Sequence, residues 1–283
     1  MTWRELLAEG TDTLAAAGLP EASPDARELL FSASGMDLTA YSLRADEEAS
    51  AETENIYRTW ILRRLRHEPL QYITGMAPFY GYLFAVGPGV LIPRFDTETL
   101  VEALLPHLKP GCRMLDLCTG SGCILLACLL EGPDGVSGTG TDISGTALRY
   151  AGENADRLKV PAAFIKGDLF ENVEGTFHVI SANPPYIRTE DISALEEEVR
   201  LHEPRTALDG AADGLLFYRR IIAEAPDYLC DDGLLGLETG YDQAEDVMTL
   251  MRERGYRDVC FRRDLGGLPR AVLGRRPVRK EAH

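Results

Sequence analysis

Apolar residues recur at helical spacing through the first seventy positions of the chain. Trp3, Leu6, Leu7 and Leu14, then Leu29 and Leu30, then Ile56, Trp60, Leu62 and Leu65 predict a series of amphipathic helices. Gly18-Leu19-Pro20 supplies a stop, Ala22-Ser23-Pro24-Asp25 a fresh N-cap, and Gly35 a further turn. The pattern changes over residues 78–93. Phe79, Tyr80, Tyr82, Phe84 and Val86, then Val90, Leu91 and Ile92, are strand formers broken by Gly87-Pro88-Gly89, which predicts a β-hairpin. The domain boundary is therefore set at Gly75, with a helical bundle over 1–74 and a second domain over 75–283.

From about residue 97 helix and strand alternate. Thr97–Leu108 reads as a helix, 113–117 as a short buried strand, and Cys123–Leu130 as a helix after a Gly-rich turn. Residues 138–142 close a second strand, and Ser144–Leu158 is helical. Residues 163–165, 178–181, 234–238 and 271–273 read as further strands. Such alternation predicts an α/β fold with a mostly parallel sheet covered by helices on both faces. Ligands then bind at the carboxyl ends of the strands, near the point where strand order reverses.

Composition narrows the function classes. The 283 residues are 45% hydrophobic and 26% charged, as in ordinary globular proteins, and no uncharged apolar run reaches the ~18 residues that suggest a membrane span. The start, Met1-Thr2-Trp3-Arg4-Glu5, lacks the features of a signal peptide, so a cytoplasmic location is expected. Net charge is −16, and residues 1–60 hold twelve acids against four bases. A surface so negative repels phosphate backbones, which weighs against nucleic acid as a direct partner and suits a basic protein partner or simple solubility. Six cysteines without a C-x-x-C pair read as reduced and mostly buried, and five scattered histidines give no metal spacing. No metal is expected. No long apolar heptad demands a second copy, so a monomer is expected.

Two segments carry chemistry. Cys118-Thr119-Gly120-Ser121-Gly122, after Asp116-Leu117, sits between strand and helix, where glycines admit a ligand to the backbone and the helix N-terminus offers unpaired N–H groups. Asp142, about twenty residues on at a strand end, is placed to accept both hydroxyls of a ribose. Leu125 stands where a dinucleotide fingerprint would have its third glycine, although spacing alone does not separate S-adenosylmethionine from NAD. Asp168, in Gly167-Asp168-Leu169-Phe170, follows the third strand, where it can accept from an adenine amino group with Leu169 on the ring, or simply cap a turn.

The second segment is Asn183-Pro184-Pro185-Tyr186, directly after a strand. Two prolines stiffen the turn and remove two N–H donors. The Asn183 side-chain oxygen and the Pro184 carbonyl can together accept both hydrogens of a planar NH₂ group, with Tyr186 over its flat face. An amide nitrogen is a poor nucleophile because its lone pair is delocalised. Holding it by two acceptors lets it pyramidalise toward an electrophilic methyl, and orientation of this kind supplies up to about 7–11 kcal/mol of a two-reactant barrier.

With these residues in view, the chain resembles the release factor glutamine methyltransferases nearly end to end. The resemblance runs through Arg63-Arg64 to Tyr72, Gly89 to Arg94 with Thr97-Glu98, Asp116 to Gly122, Asp142, and Gly167-Asp168. It continues through Asn183 to Ile187, Glu203-Pro204, Asp213-Gly214-Leu215 with Tyr218-Arg219, and Leu237-Glu238. Phe95-Asp96 stands where the family usually has Pro-Glu, and Cys118 where glycine is frequent. The resemblance implies a Rossmann-like, seven-stranded S-adenosylmethionine-dependent methyltransferase domain with an N-terminal helical bundle and a β-hairpin linker. It implies cofactor contacts from Cys118, Thr119, Gly120, Ser121, Gly122, Asp142, Asp168, Leu169 and Asn183. Asn183, Pro184, Pro185 and Tyr186 would hold the glutamine amide of the Gly-Gly-Gln loop of a release factor, and 1–74 would recognise the substrate protein.

Three rivals remain. An amino-adenine DNA methyltransferase uses the same tetrapeptide but needs a base-flipping, basic target-reading region that this chain lacks. A ribosomal-protein glutamine methyltransferase shares the chemistry, and a non-catalytic module could keep the fold. The run Glu196-Glu197-Glu198 is either a flap over the substrate or a solvated acidic helix.

Overall fold

The computed structural model describes residues 1–278. Along the chain run α1 (Trp3–Ala16), α2 (Ala22–Ser34), α3 (Leu38–Arg44), α4 (Ala51–Arg64), α5 (Leu70–Thr74), β1 (Met76–Phe79), β2 (Tyr82–Ala85), α6 (Glu98–Leu104), β3 (Arg113–Leu117) and α7 (Cys123–Glu131). There follow β4 (Ser137–Asp142), α8 (Gly145–Leu158), β5 (Ala162–Lys166), β6 (Phe177–Ala182), α9 (Glu197–His202), α10 (Leu216–Tyr228), β7 (Leu229–Glu238), α11 (Ala244–Glu253), β8 (Arg257–Arg263) and β9 (Pro269–Arg275). The chain forms two compact units, one of Met1–Met76 with Glu196–His202, the other of Ala77–Leu195 with residues from Glu203 onward.

In the first unit Thr2 and Glu5 form a capping box that starts α1, and Trp3, Leu6, Leu14, Leu29, Leu30, Tyr57 and Ile61 make the core. Two local expectations are corrected. The inner face of α4 is Tyr57, Ile61 and Arg64, whereas Leu62 is exposed, because the helix turns one residue away from the Ile56-Trp60-Leu62 reading. Asp25 caps nothing. It is buried and accepts from Arg64 at 2.6 Å, and the same guanidinium reaches Glu198 at 2.7 Å. Glu197 pairs with His67 at 3.1 Å, so the acidic run is anchored by partners in the bundle rather than being only a solvated face.

The second unit opens with the hairpin, which turns at Tyr80-Gly81 and not at Gly87-Pro88-Gly89. Both turn residues have positive φ, 50° and 78°, the geometry that matches strand twist in a two-residue loop. Residues 90–92 are not a strand.

The main sheet has the order β5-β4-β3-β6-β7-β9-β8. The first five strands are mutually parallel and β9 is antiparallel to both neighbours. Side chains alternate across it. Leu115, Leu117, Ile180, Ala182 and Leu237 face a layer containing Tyr218, Ile221, Val247 and Met251 of α10 and α11. Met114, Val179 and Leu273 face Leu100, Leu104, Leu125 and Leu126 of α6 and α7. Strand β8 was missed by the sequence reading: Arg257, Asp258, Arg262 and Arg263 are exposed on this edge strand, so no apolar run marks it.

Candidate active site

The parallel strands deliver the chemistry-bearing residues in spatial order along one sheet edge. Asp168 follows β5, Asp142 ends β4, residues 118–122 follow β3, residues 183–186 follow β6, and Glu238 ends β7. Strand order reverses between β3 and β6, so the Gly-rich turn and the Asn-Pro-Pro-Tyr segment flank the switch point. A cavity of about 590 Å³ opens there, within the range that holds small ligands.

The Gly-rich turn is tightly wound. Cys118, Gly120 and Gly122 all have positive φ, 53°, 57° and 81°. Cys118 thus occupies a left-handed position that glycine adopts without cost. Burial pushes its thiol pKa far up, so it is a neutral apolar side chain. A Cβ on Gly122 would meet Leu126 Cδ1 at 3.2 Å and Ala151 Cβ at 3.3 Å. Beneath the turn Asp116 is fully buried and accepts from Thr119 and Ser181 hydroxyls, each at 2.6 Å. Burial raises its pKa to about 6 against the pull of those two donors.

Asp142 is locked in place by main-chain donors: Gly120 N–H at 2.9 Å on Oδ2 and Ser144 N–H at 2.8 Å on Oδ1. Each carboxylate oxygen still has acceptor capacity for a hydroxyl. Burial raises the Asp142 pKa while the backbone donors from Ser144 and Gly120 hold it down. Asp168 is paired with Arg220 of α10 at 2.9 Å. Leu169 has φ 55°, and its carbonyl accepts from the Thr141 hydroxyl at 3.0 Å.

The Asn-Pro-Pro-Tyr turn is held from behind. Asn183 Nδ2 donates to Thr97 Oγ1 at 3.5 Å. The Tyr186 carbonyl accepts from Gln243 Nε2 at 2.9 Å, and its phenol lies 3.4 Å from Glu238 Oε1. The segment after it pairs with residues 208–211: Ile187 N–H donates to Leu208, and Gly210 N–H to Ile187, at 2.9 and 2.8 Å. Gly214 fits only as glycine, since a Cβ there would lie 2.4 Å from the Tyr186 carbonyl oxygen. Burial lifts the Tyr186 phenol pKa well above its usual value, so it remains a neutral hydroxyl.

Cys118, Thr119, Gly120, Ser121, Asp142, Asp168, Leu169, Asn183 and Pro185 line this cavity, with Val90, Ile143 and Ala147 as apolar wall. Gly122, Pro184 and Tyr186 do not form its wall; Gly122 packs against α8 and Tyr186 faces Glu238. Sequence reasoning gave no individual role to Thr97, Asn154, Arg220, Glu238 or Gln243. Asn154, fully buried on α8, bonds both main-chain groups of Ala85 and the carbonyl of Ser121, joining hairpin and Gly-rich turn. Only the tertiary fold brings these partners together, so no short spacing announces them. Among the described residues no group of His, Cys, Asp and Glu is arranged to hold a metal, and no helix is long and apolar enough to cross a membrane.

Two protein families match successive stretches of the chain. The PrmC N-terminal domain family matches residues 5–75 and the methyltransferase small domain family residues 93–200. The release factor glutamine methyltransferase of Geobacter sulfurreducens is 39% identical over 275 residues, covering 97% of this chain and 96% of its own. That of Agrobacterium fabrum is 39% identical over 271 residues, covering 93% of each. A methyltransferase structure from Pyrococcus furiosus superposes with a TM-score of 0.52 at 20% identity, over 69% of this chain and 89% of that one, which supports the fold. A seven-stranded methyltransferase sheet, a Gly-rich turn beside Asp142 and near-complete alignment with these relatives lead to one assignment: the chain belongs to the release factor glutamine methyltransferase family.

Proposed function

We propose that this enzyme transfers a methyl group from S-adenosylmethionine to the side-chain amide nitrogen of the glutamine in the Gly-Gly-Gln loop of a peptide chain release factor. The observation that carries the reading is the convergence of residues 118–121, Asp142, Asp168 and Leu169 on one cavity that Asn183 and Pro185 of the Asn-Pro-Pro-Tyr turn also line. The donor set suits the cofactor. Asp142 has acceptor capacity for ribose hydroxyls, the apolar wall suits the adenine ring, and the turn at the start of α7 offers main-chain N–H groups. When bound, S-adenosylmethionine supplies an electrophilic methyl on a sulfonium.

The chain's own work is orientation. Asn183 Oδ1 and the Pro184 carbonyl accept the two amide hydrogens, Pro185 keeps the turn stiff, and Tyr186 covers the amide plane. The buried thiols and phenols around the site stay neutral, so no thiolate or phenolate of the protein competes for the methyl. Residues 1–74 act as the module that recognises the release factor, the enzyme works as a cytoplasmic monomer, and its acidic surface disfavours direct nucleic-acid binding.

The test is methyl transfer from labelled S-adenosylmethionine to a release factor, a ribosomal protein fraction and adenine-containing DNA. Label on the release factor, lost when its Gly-Gly-Gln glutamine is replaced, is the expected result. Label confined to DNA or to ribosomal protein would overturn the substrate assignment.

A further inference from the structure

Adenine differs from hypoxanthine at one edge of the ring, where an exocyclic amine donates hydrogen bonds that an oxygen would accept. A carboxylate tells the two apart only if it is held still. Asp168 lines the cavity, yet its side chain is 43% exposed, so burial does not hold it. Resting on the functional reading above, we infer that the start of α10 completes the adenine site: Arg220 is the positioning residue that aims Asp168 at the exocyclic amine, and Leu216 is an apolar cover of the ring.

Asp168 is held from two sides. Its main-chain N–H donates to Glu171 Oε2 at 3.1 Å, and the carbonyl of Leu169 beside it accepts from the Thr141 hydroxyl of β4 at 3.0 Å. Its carboxylate is tied to α10, where Arg220 Nη2 donates to Oδ2 at 2.9 Å. Oδ2 takes the guanidinium and Oδ1 keeps its acceptor capacity. An ionised carboxylate has no proton to give, so Oδ1 accepts an N–H and repels a carbonyl oxygen. An ion pair this exposed adds little to stability. What it fixes is the direction of the Asp168 carboxylate.

The helix that carries Arg220 is itself anchored. Tyr218, Ile221 and Ile222 are buried in the core layer, and the Tyr218 hydroxyl donates to the Glu238 main-chain carbonyl at 2.9 Å. Leu216 and Arg220 are four residues apart and share a helix face. Leu216 lines the cavity although it is 42% exposed, and Ile143 does so at 61%. Among the large apolar side chains exposed on the described residues, these two alone line the cavity. Apolar surface left open inside a concave site is what a flat heteroaromatic ring covers. Ile143 adjoins Asp142, assigned to the ribose, and Leu216 adjoins the partner of Asp168 on the helix face, so both serve the nucleoside end of the cofactor.

The experiment measures by calorimetry the affinity of the full-length protein for S-adenosylhomocysteine and for S-inosylhomocysteine, which has an oxygen in place of the amine. Wild type should prefer the adenosyl ligand by at least about tenfold, the lower scale of one hydrogen bond to a charged acceptor. Arg220→Met should weaken S-adenosylhomocysteine by about fivefold or more and leave S-inosylhomocysteine as tight as before, so the preference shrinks. A collapsed site would lose both ligands alike. Asp168→Ala should abolish the preference, and adding Arg220→Met to it should change nothing further, because Arg220 acts through Asp168. Leu216→Ala should weaken both ligands by the same factor, about fivefold for the lost apolar contact, and keep the preference. Equal wild-type affinity for the two ligands, an undiminished preference in Arg220→Met, a further loss when Arg220→Met joins Asp168→Ala, or wild-type binding by Leu216→Ala would overturn the inference. A wild type that binds neither ligand would overturn the cofactor reading and this inference with it. A normal preference without methyl transfer to a release factor would overturn the substrate assignment alone.

Discussion

Asp142 Oδ2 accepts the Gly120 main-chain N–H across 2.9 Å, so the end of β4 and the Gly-rich turn after β3 are fixed by one carboxylate. The same side chain that would bind ribose also shapes the loop that would bind the rest of the cofactor. Replacing Asp142 by Ala removes an ionised acceptor whose hydrogen bonds are each worth about 1.5–3 kcal/mol, a loss of about 10- to 150-fold in S-adenosylmethionine affinity. Titration calorimetry reads this directly, and an unchanged dissociation constant would remove Asp142 from the binding site.

Asn183→Ala should lower turnover by at least ~10²-fold, the scale of deleting one preorganised polar group aimed at a transition state. Steady-state methyl transfer at saturating release factor measures it. Near-normal turnover would rule out the amide clamp.

Gly122→Ala tests the turn itself. At φ 81°, with Leu126 and Ala151 at 3.2 and 3.3 Å from the new methyl, the substitution is strained in backbone and packing together. The expected cost is about 1–2 kcal/mol from the left-handed backbone alone, read by urea unfolding, with weaker cofactor binding. Stability equal to wild type would mean the turn relaxes freely.

Asp116 predicts a pH dependence. Burial raises its pKa from the ordinary 3.8 to about 6 in the folded protein, so the native state holds the proton more tightly than the unfolded chain. Stability from this group is fully present below about pH 4 and falls as pH rises to about 6, by a total on the order of 3 kcal/mol. Asp116→Asn should flatten the unfolding free energy across that window. Equal slopes in both proteins would show that Asp116 titrates normally.

Asp25 and Arg64 form a buried pair at 2.6 Å. Removing the carboxylate alone, as Asp25→Ala, strands a buried guanidinium on its remaining partners and should cost about 3–5 kcal/mol, whereas replacing both residues by apolar ones should cost much less. Chemical denaturation of the two variants decides between these outcomes.

The sheet was legible at its central strands because Met114, Leu115 and Leu117, and Val179 and Ile180, are compact apolar clusters directly ahead of the Gly-rich and Pro-rich turns. The hairpin turn was misplaced because Gly87-Pro88-Gly89 carries a louder turn signal than Tyr80-Gly81, although the register uses the latter. Residues 118–122, 142, 168–169 and 183–186 stood out because glycines and prolines mark backbone geometry even in isolation. Thr97, Gln243 and Glu238 did not, since a threonine and two ordinary polar side chains acquire meaning only when the fold sets them behind Asn183 and Tyr186.

The membership of Glu196–His202 in the same compact unit as Met1–Met76 has a consequence for exchanging parts between relatives. The polypeptide enters that unit twice, so a chimera spliced once near residue 76 would carry a foreign bundle against a native α9. Glu198 and Glu197 would then face whatever the donor has at the places of Arg64 and His67. A successful swap of the helical unit has to transplant two discontinuous segments together.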